Sequence, residues 1–324
     1  MHILITGGAG YVGSATVRFL LKKKCKITVI DNFSTGKKFL LPKKINLIKS
    51  DFSDIKKIKK ILKKNSFDVV IHLAAFIKVS ESVLLPRKYL LNNYLKTKKF
   101  INLCIKNNLT NIIFASSAAV YGVNKETKVS EKNLTKPINP YGVSKLLVEK
   151  YLIEKKKSKS INYIILRYFN IVGADSLGNF GPLKNNTSLI KTICKSIIKN
   201  KIFYIFGNKY FTKDGTAIRD FIDINKIAEI NYKACKYIVS KKNCNKILNC
   251  GSGRGYSVMK IFKLCQEYLT KNISLRISKP IAFDIPEIKA NIDNLKKTLR
   301  IKTNINLKKS IKSMFRWEKK IINE

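Results

Sequence analysis

The stretch that most limits how this chain can fold is Thr6-Gly7-Gly8-Ala9-Gly10-Tyr11-Val12-Gly13. It follows an apolar run over residues 2–6 and opens a helical pattern over 11–23. Gly7, Gly10 and Gly13 spell G-x-x-G-x-x-G, and Gly8, Gly10 and Gly13 also satisfy the dinucleotide spacing. Glycines here permit a tight turn and let backbone N–H groups reach a pyrophosphate at a helix N-terminus, where the dipole favours negative charge. Alone, such a loop is a weak sign. Here Asp31 ends the next strand, eighteen residues after Gly13, where a carboxylate accepts from the ribose 2′-OH and repels a 2′-phosphate. The reading is NAD in preference to NADP.

Apolar β-branched runs at 26–31, 45–49, 68–73, 111–116 and 162–167 are expected to be further strands, alternating with helices over 53–64, 86–106 and 141–156. Buried strands separated by helices mean a parallel sheet covered on both faces, with ligands at the carboxyl ends of its strands. The expected fold is α/β, a doubly wound parallel (Rossmann) sheet with a smaller α/β C-terminal substrate lobe. The division falls at 1–170 and 171–324, with segments near 217–252 returning to the first sheet. Residues 173–186 read as a long loop, and 202–206, 221–224 and 246–249 as short strands. Two more strand ends face the cofactor: Asp51-Phe52, where a carboxylate meets the adenine, and Leu73-Ala74-Ala75, where small side chains admit a ligand. His72, inside its strand, reads as a packed core histidine.

The sequence carries 65 Lys and Arg against 20 Asp and Glu, a net +45, which suggests a polyanion binder. Only eight of the 65 are Arg, however, and nucleic-acid surfaces enlist Arg for bidentate contacts. The lysines are spread over the whole chain, so we read the charge as compositional and expect no specific nucleic-acid partner. No apolar run reaches the ~20 residues of a membrane span, and the first residues enter a strand directly, so a cytoplasmic location is expected. Seven scattered cysteines without C-x-x-C spacing and two histidines argue against a disulfide framework and against a metal site.

The chemistry sits in Tyr141-Gly-Val-Ser-Lys145, after Asn139-Pro140. An i, i+4 spacing puts phenol and ammonium on one helix face. A free tyrosine, with pKa near ~10, is a poor base at neutral pH, and a neighbouring cation favours the phenolate. Ser117, at the end of a strand, is placed to hydrogen-bond the same substrate oxygen. A lone Y-x-x-x-K arises by chance in a lysine-rich chain, but its position after the serine-bearing strand and the glycine loop argues otherwise.

Taken together, these segments resemble the UDP-glucose 4-epimerase family of extended short-chain dehydrogenases over nearly the whole length. The carrying segments are residues 6–13, Asp31-Asn-Phe-Ser-Thr-Gly36, Ser116-Ser-Ala-Ala-Val-Tyr-Gly122, Tyr141-Gly-Val-Ser-Lys145, Arg167-Tyr-Phe-Asn170 and Asp214-Gly-Thr-Ala-Ile-Arg-Asp220. The resemblance implies Ser117, Tyr141 and Lys145 as catalytic residues and NAD as cofactor. It places Gly7, Gly10, Tyr11, Val12, Gly13, Asp31, Asn32, Asp51, Phe52, Leu73, Ala74, Ala75, Asn92 and Phe169 around that cofactor, beside the catalytic three. It places Asn170, Thr187, Ser188, Phe206, Arg219 and Asp284 around a UDP-sugar, and it implies a homodimer formed through the helices at 86–106 and 141–156. Ala118-Ala119 stand where sister dehydratases carry the acid and base that eliminate water, so epimerisation at C4 is favoured. The alternatives are another NAD-dependent sugar-nucleotide enzyme, such as a uronate epimerase or reductase, and a non-catalytic NAD- or polyanion-binding protein.

Three positions depart from the family pattern: Ile77 replaces a lysine, Ile171 a proline and Ile281 an arginine of the diphosphate clamp, with Lys279 as the nearest cation. Lysine lacks bidentate phosphate geometry, so weaker UDP binding is expected. Ile288 stands where residue bulk controls entry of N-acetylated sugars, and its medium size leaves room for them.

Overall fold

His2–Thr6, four of whose five residues are buried, pairs in parallel with Lys26–Asp31 on one side and Val69–His72 on the other. In the computed structural model, which describes residues 1–158, 161–280 and 284–323, these belong to a sheet of seven parallel strands. Their order is Asn245–Cys250, Asn162–Tyr168, Asn111–Ser117, Val69–His72, His2–Thr6, Lys26–Asp31 and Asn46–Lys49. Winding reverses between His2–Thr6 and Val69–His72, and this switch point opens a crevice at their carboxyl ends. The glycine loop leaves the first of these strands there.

Amphipathic helices cover both faces. Tyr11–Lys22 and Ile224–Val239 bury Val17, Leu20, Ile227, Ile230 and Ala234 against one face. Ile55–Lys64, Thr97–Lys106 and Pro140–Ser158 bury Ile58, Ile61, Phe100, Ile101, Val148 and Leu152 against the other. A buried relay joins layers: Tyr168 donates to Asn231 (2.6 Å), which donates to Thr16 (2.9 Å). Satisfying each polar group in this way avoids the cost of burying one unpaired.

The helix expected over 86–106 is broken in its middle. Pro86–Tyr89 leads into a π-helical turn at Leu90–Lys96 before Thr97–Lys106 resumes. Inside that turn Asn93 is buried, accepts the Phe76 N–H (2.9 Å) and donates to the Phe76 carbonyl (2.9 Å) and the Ser144 hydroxyl (3.2 Å). Such turns recur where a helix must present one side chain to a functional site.

The second lobe contains a five-stranded sheet, in which Ile218–Asp223 pairs with Asn170–Val172, Gly255–Ser257 and Glu287–Ala290, and the last of these with Lys128–Val129. The strand expected at 221–224 thus begins earlier, because Ile218 and Arg219 also join the ladder. Phe203–Phe206 and Leu275–Ser278 form a separate parallel pair. Between the helices Leu189–Ile198 and Leu307–Asn323 lies an ion pair, Lys191 to Glu318 (2.8 Å), both side chains 2% exposed. All seven cysteines are buried free thiols. Among the described residues no helix is long and apolar enough to cross a membrane.

Candidate active site

The cofactor cradle is shaped by what a side chain would strike. Gly7 has φ +74°, and a Cβ there would lie 2.7 Å from the backbone of Ala74. The loop therefore rests directly on the Leu73-Ala74-Ala75 strand end. A Cβ on Gly13 would stand 2.2 Å from the Gly7 carbonyl oxygen, so only glycine lets the helix start this close to the turn. Gly10 precedes the helix Tyr11–Lys22 and has no side chain to cap its first turn. Uncapped N–H groups at a helix start are what a pyrophosphate takes up, and the cradle fits the dinucleotide. Val12 is half-buried beside it, and the Tyr11 hydroxyl donates to the Gly173 carbonyl, tying the loop to the second lobe.

Asp31 ends the neighbouring strand beside the glycine loop. Its carboxylate accepts the Ala9 N–H (2.9 Å) and the Phe33 N–H (2.8 Å). Burial raises its pKa, with those two hydrogen bonds opposing the rise. Asn32 donates to Asp51 (3.1 Å), and Lys96 donates to the same oxygen (3.1 Å). Burial would raise the Asp51 pKa, but hydrogen bonds from Ser53 and Lys96 hold it below its ordinary value. Phe52 meets His72 edge-on, with ring centroids 4.9 Å apart. His72 itself bridges the hydroxyls of Thr6 (2.7 Å) and Thr97 (2.9 Å) and lies among Phe52, Phe100 and Phe114. Burial, and secondarily Lys145, pulls its pKa to about 3. A neutral imidazole used as a spacer is the role this geometry gives it.

Ser117, Tyr141 and Lys145 meet at the end of Asn111–Ser117. Asn139 accepts the Gly142 N–H (2.9 Å), and this starts the helix Pro140–Ser158. Gly142 packs so tightly on the turn after Ser117 that a Cβ would lie 2.5 Å from the Ala119 oxygen. The Tyr141 phenol faces the Ser117 hydroxyl; burial raises its pKa and the Ser117 hydrogen bond opposes that. Lys145, 3% exposed, donates to the Ala115 carbonyl (2.7 Å) and lies 4.9 Å from the Phe114 ring centre. Burial pulls its pKa to about 7, with Glu149 opposing. The expected lowering of the phenol by Lys145 is therefore corrected. The ammonium is held by Ala115, and burial dominates both groups.

In the second lobe, Asn170 and Ser188 line a cavity of about 60 Å³ with Ile171, Val172, Leu189, Ile190 and Phe221. The Ser188 hydroxyl is buried without a hydrogen-bond partner among the described residues, and Thr187 beside it is exposed. Phe206 is 48% exposed. Arg219 and Asp284 are brought together as an ion pair, and the Tyr210 hydroxyl also donates to Asp284 (3.2 Å). Phe169 is buried with Ala118 and Ile288, which places Ile288 in one apolar cluster with the turn after Ser117. Asn92 donates to Asn93 (3.1 Å). Lys279 is exposed, and Ile281 lies outside the described residues.

Several residues escaped the sequence reading. Asn93, Lys96, Glu149 and Arg167 all bear on the site, yet only Arg167 stood in a quoted segment. An acidic residue at i+4 from Lys145 was the one visible signal for Glu149.

A switch-point crevice with a glycine cradle, a carboxylate at the end of the neighbouring strand and a buried Ser-Tyr-Lys cluster defines a dinucleotide-binding α/β protein. The family model described as NAD dependent epimerase/dehydratase family matches residues 3–251. UDP-glucose 4-epimerase from Azospirillum brasilense is 31% identical over 99% of this chain and 92% of its own length. UDP-glucose 4-epimerase from Lactobacillus helveticus is 37% identical over 81% of this chain and 80% of its own. The crystal structure of a UDP-glucose 4-epimerase from Stenotrophomonas maltophila, with bound NAD and formylated UDP-arabinopyranose, superposes with a TM-score of 0.95 at 25% identity, covering 100% of this chain and 99% of that one. The chain belongs to the NAD-dependent epimerase/dehydratase family.

Proposed function

We propose that this protein is an NAD-dependent UDP-sugar 4-epimerase that interconverts UDP-glucose and UDP-galactose. The observation that carries the reading is the Ser117–Tyr141 contact at the carboxyl end of the sheet, with Ala118-Ala119 in the adjoining turn and no carboxylate there. When bound, NAD supplies a reversible hydride acceptor and a positive charge beside the phenol. Ser117 orients the sugar 4-OH, and Tyr141 takes its proton and later returns it. Lys145, one helical turn from Tyr141 and fixed by the Ala115 carbonyl, lends the site its positive charge. Asn170, Thr187, Ser188, Phe206 and Arg219 with Asp284 hold the UDP moiety while the 4-keto sugar turns its other face, and Asn92 and Phe169 border the cofactor. In this reading the cofactor domain ends near residue 170.

Incubation with a panel of UDP-sugars, N-acetylated and uronate forms included, and NMR readout of C4 configuration tests the proposal. Interconversion of UDP-glucose and UDP-galactose is expected; a folded, NAD-loaded protein inert toward every member would overturn it.

The reading includes a cytoplasmic homodimer. Leu90, Leu91, Leu95 and Val143, exposed by 40%, 53%, 42% and 39%, lie on the helices expected to pair two copies. Exposed apolar residues concentrated on one pair of helices mark an interaction surface. Sedimentation equilibrium should give about twice the chain mass, and Leu91→Glu should return it to one.

A further inference from the structure

Behind the Ser-Tyr-Lys cluster lies a second, wholly buried set of charges that the reaction described above does not use. Glu149 is 1% exposed and sits one helical turn beyond Lys145, on the same face. Its carboxylate accepts from Arg167 through Nε (3.1 Å) and Nη2 (2.6 Å), and from the Ser116 hydroxyl. Arg167 in turn donates to the Tyr121 hydroxyl (2.9 Å) and lies 4.8 Å from that ring's centre. Tyr121 donates to Asn249 (2.6 Å), whose side chain donates to the Val129 carbonyl (2.9 Å). Three successive residues of one strand end are thereby fastened to three positions of one helix: Ala115 to Lys145, Ser116 to Glu149, Ser117 to Tyr141.

We infer that Glu149 is a positioning residue for the reaction: it supplies the counter-charge that keeps the buried Lys145 ammonium protonated, and Ser116 and Arg167 set how much of that charge Lys145 experiences. The inference rests on the proposed 4-epimerase activity. An ammonium taken out of water loses its hydration and tends to shed its proton unless a negative charge stands near. The groups facing Lys145 are the neutral His72 from the adjoining strand, the Ala115 carbonyl, the Phe114 ring, and Tyr141 and Glu149 from its own helix. Of these, Glu149 alone is a carboxylate. Burial already brings the Lys145 pKa to about 7, so small changes in its surroundings fall inside the working range.

The sign follows. Lys145 is effective while protonated, so activity declines as pH rises through its pKa. Glu149→Gln removes the counter-charge and should move the alkaline limb of the kcat profile to lower pH by about 1 unit, roughly tenfold in rate above that limb. Ser116→Ala removes one hydrogen-bond donor from the Glu149 carboxylate and leaves that carboxylate more of its field at Lys145, so it should move the same limb to higher pH by a few tenths of a unit. A purely structural role predicts no opposed shifts. Both profiles are measured on folded, NAD-loaded protein, with KM recorded separately. Glu149→Gln strands Arg167 and can fail to fold; Ser116→Ala removes only a hydroxyl and then carries the test. An unmoved limb, or shifts of one sign in both variants, overturns the inference. An inactive wild-type protein would instead overturn the function on which it rests.

Discussion

Tyr141→Phe should lower kcat by about a thousandfold or more while leaving the fold and NAD binding intact. General acid–base catalysis by a positioned side chain contributes roughly 10²–10⁴ in rate, and among the described residues the phenol is the group that the proposed reaction would use for proton transfer. The neighbouring candidates can be discounted one by one. His72 is locked between two threonines and held neutral, with its pKa at about 3. Lys145 is turned to the Ala115 carbonyl. Ser117 is too weak a base unaided, and the turn that follows it offers alanines. Removing one oxygen atom also costs little packing, because the ring still meets Tyr89 edge-on at 6.4 Å. The measurement is steady-state turnover of UDP-galactose, with the cofactor content of the variant read by absorbance after denaturation. Turnover within tenfold of wild type would assign the proton transfer elsewhere. Loss of bound NAD would mean that the substitution had disturbed the cradle.

Much of this architecture was legible because the chain states it locally. Periodicity located the strands of the large sheet to within a residue or two, since buried parallel strands need continuous apolar runs. The glycine loop was legible for a stricter reason: the Gly13 position tolerates no Cβ, so chemistry left one choice of residue. What stayed hidden depends on partners distant in sequence. The π-helical turn at Leu90–Lys96 follows from Asn93 reaching Phe76 and Ser144, and an asparagine in an amphipathic run gives no hint of either. The Arg219–Asp284 pair joins residues 65 apart, so each could be singled out alone but not matched. The pKa balance was misjudged because a sequence supplies neighbouring charges and not burial, and burial outweighs the neighbours at Tyr141 and Lys145 alike.

Glu318→Ala should be the most destabilising single change in the second lobe, at about 3–5 kcal/mol. The figure is that for removing one partner of a buried ion pair and stranding the other charge. Lys191 has nowhere to go: its side chain is 2% exposed, and Ile190, Ile193, Cys194, Ile311 and Met314 in the surrounding core are apolar or nearly so. Breaking the pair therefore costs more than having it gains. Glu318 Oε2 already lacks a hydrogen-bond partner among the described residues, so the pair is not an optimised one. It follows that Lys191→Met with Glu318→Leu, which removes both charges and keeps the volume, should recover most of the loss. Urea unfolding of the two singles and the double forms a mutant cycle in which the coupling should reach several kcal/mol. A Glu318→Ala loss below about 1 kcal/mol would mean that water reaches the pair and that the helices are held by apolar packing alone. The consequence extends to function. Lys191 lies in the first turn of the helix preceded by Ser188, which lines the small cavity of the second lobe with Asn170. Glu318 follows Trp317, whose indole N–H holds the Pro182 carbonyl (2.9 Å) in the loop leading to that helix. Glu318→Ala should thus raise KM for the UDP-sugar more than it lowers kcat, because it loosens the walls of the cavity and leaves untouched Ser117, at its strand end in the large sheet, and Tyr141 and Lys145 on the helix beside it.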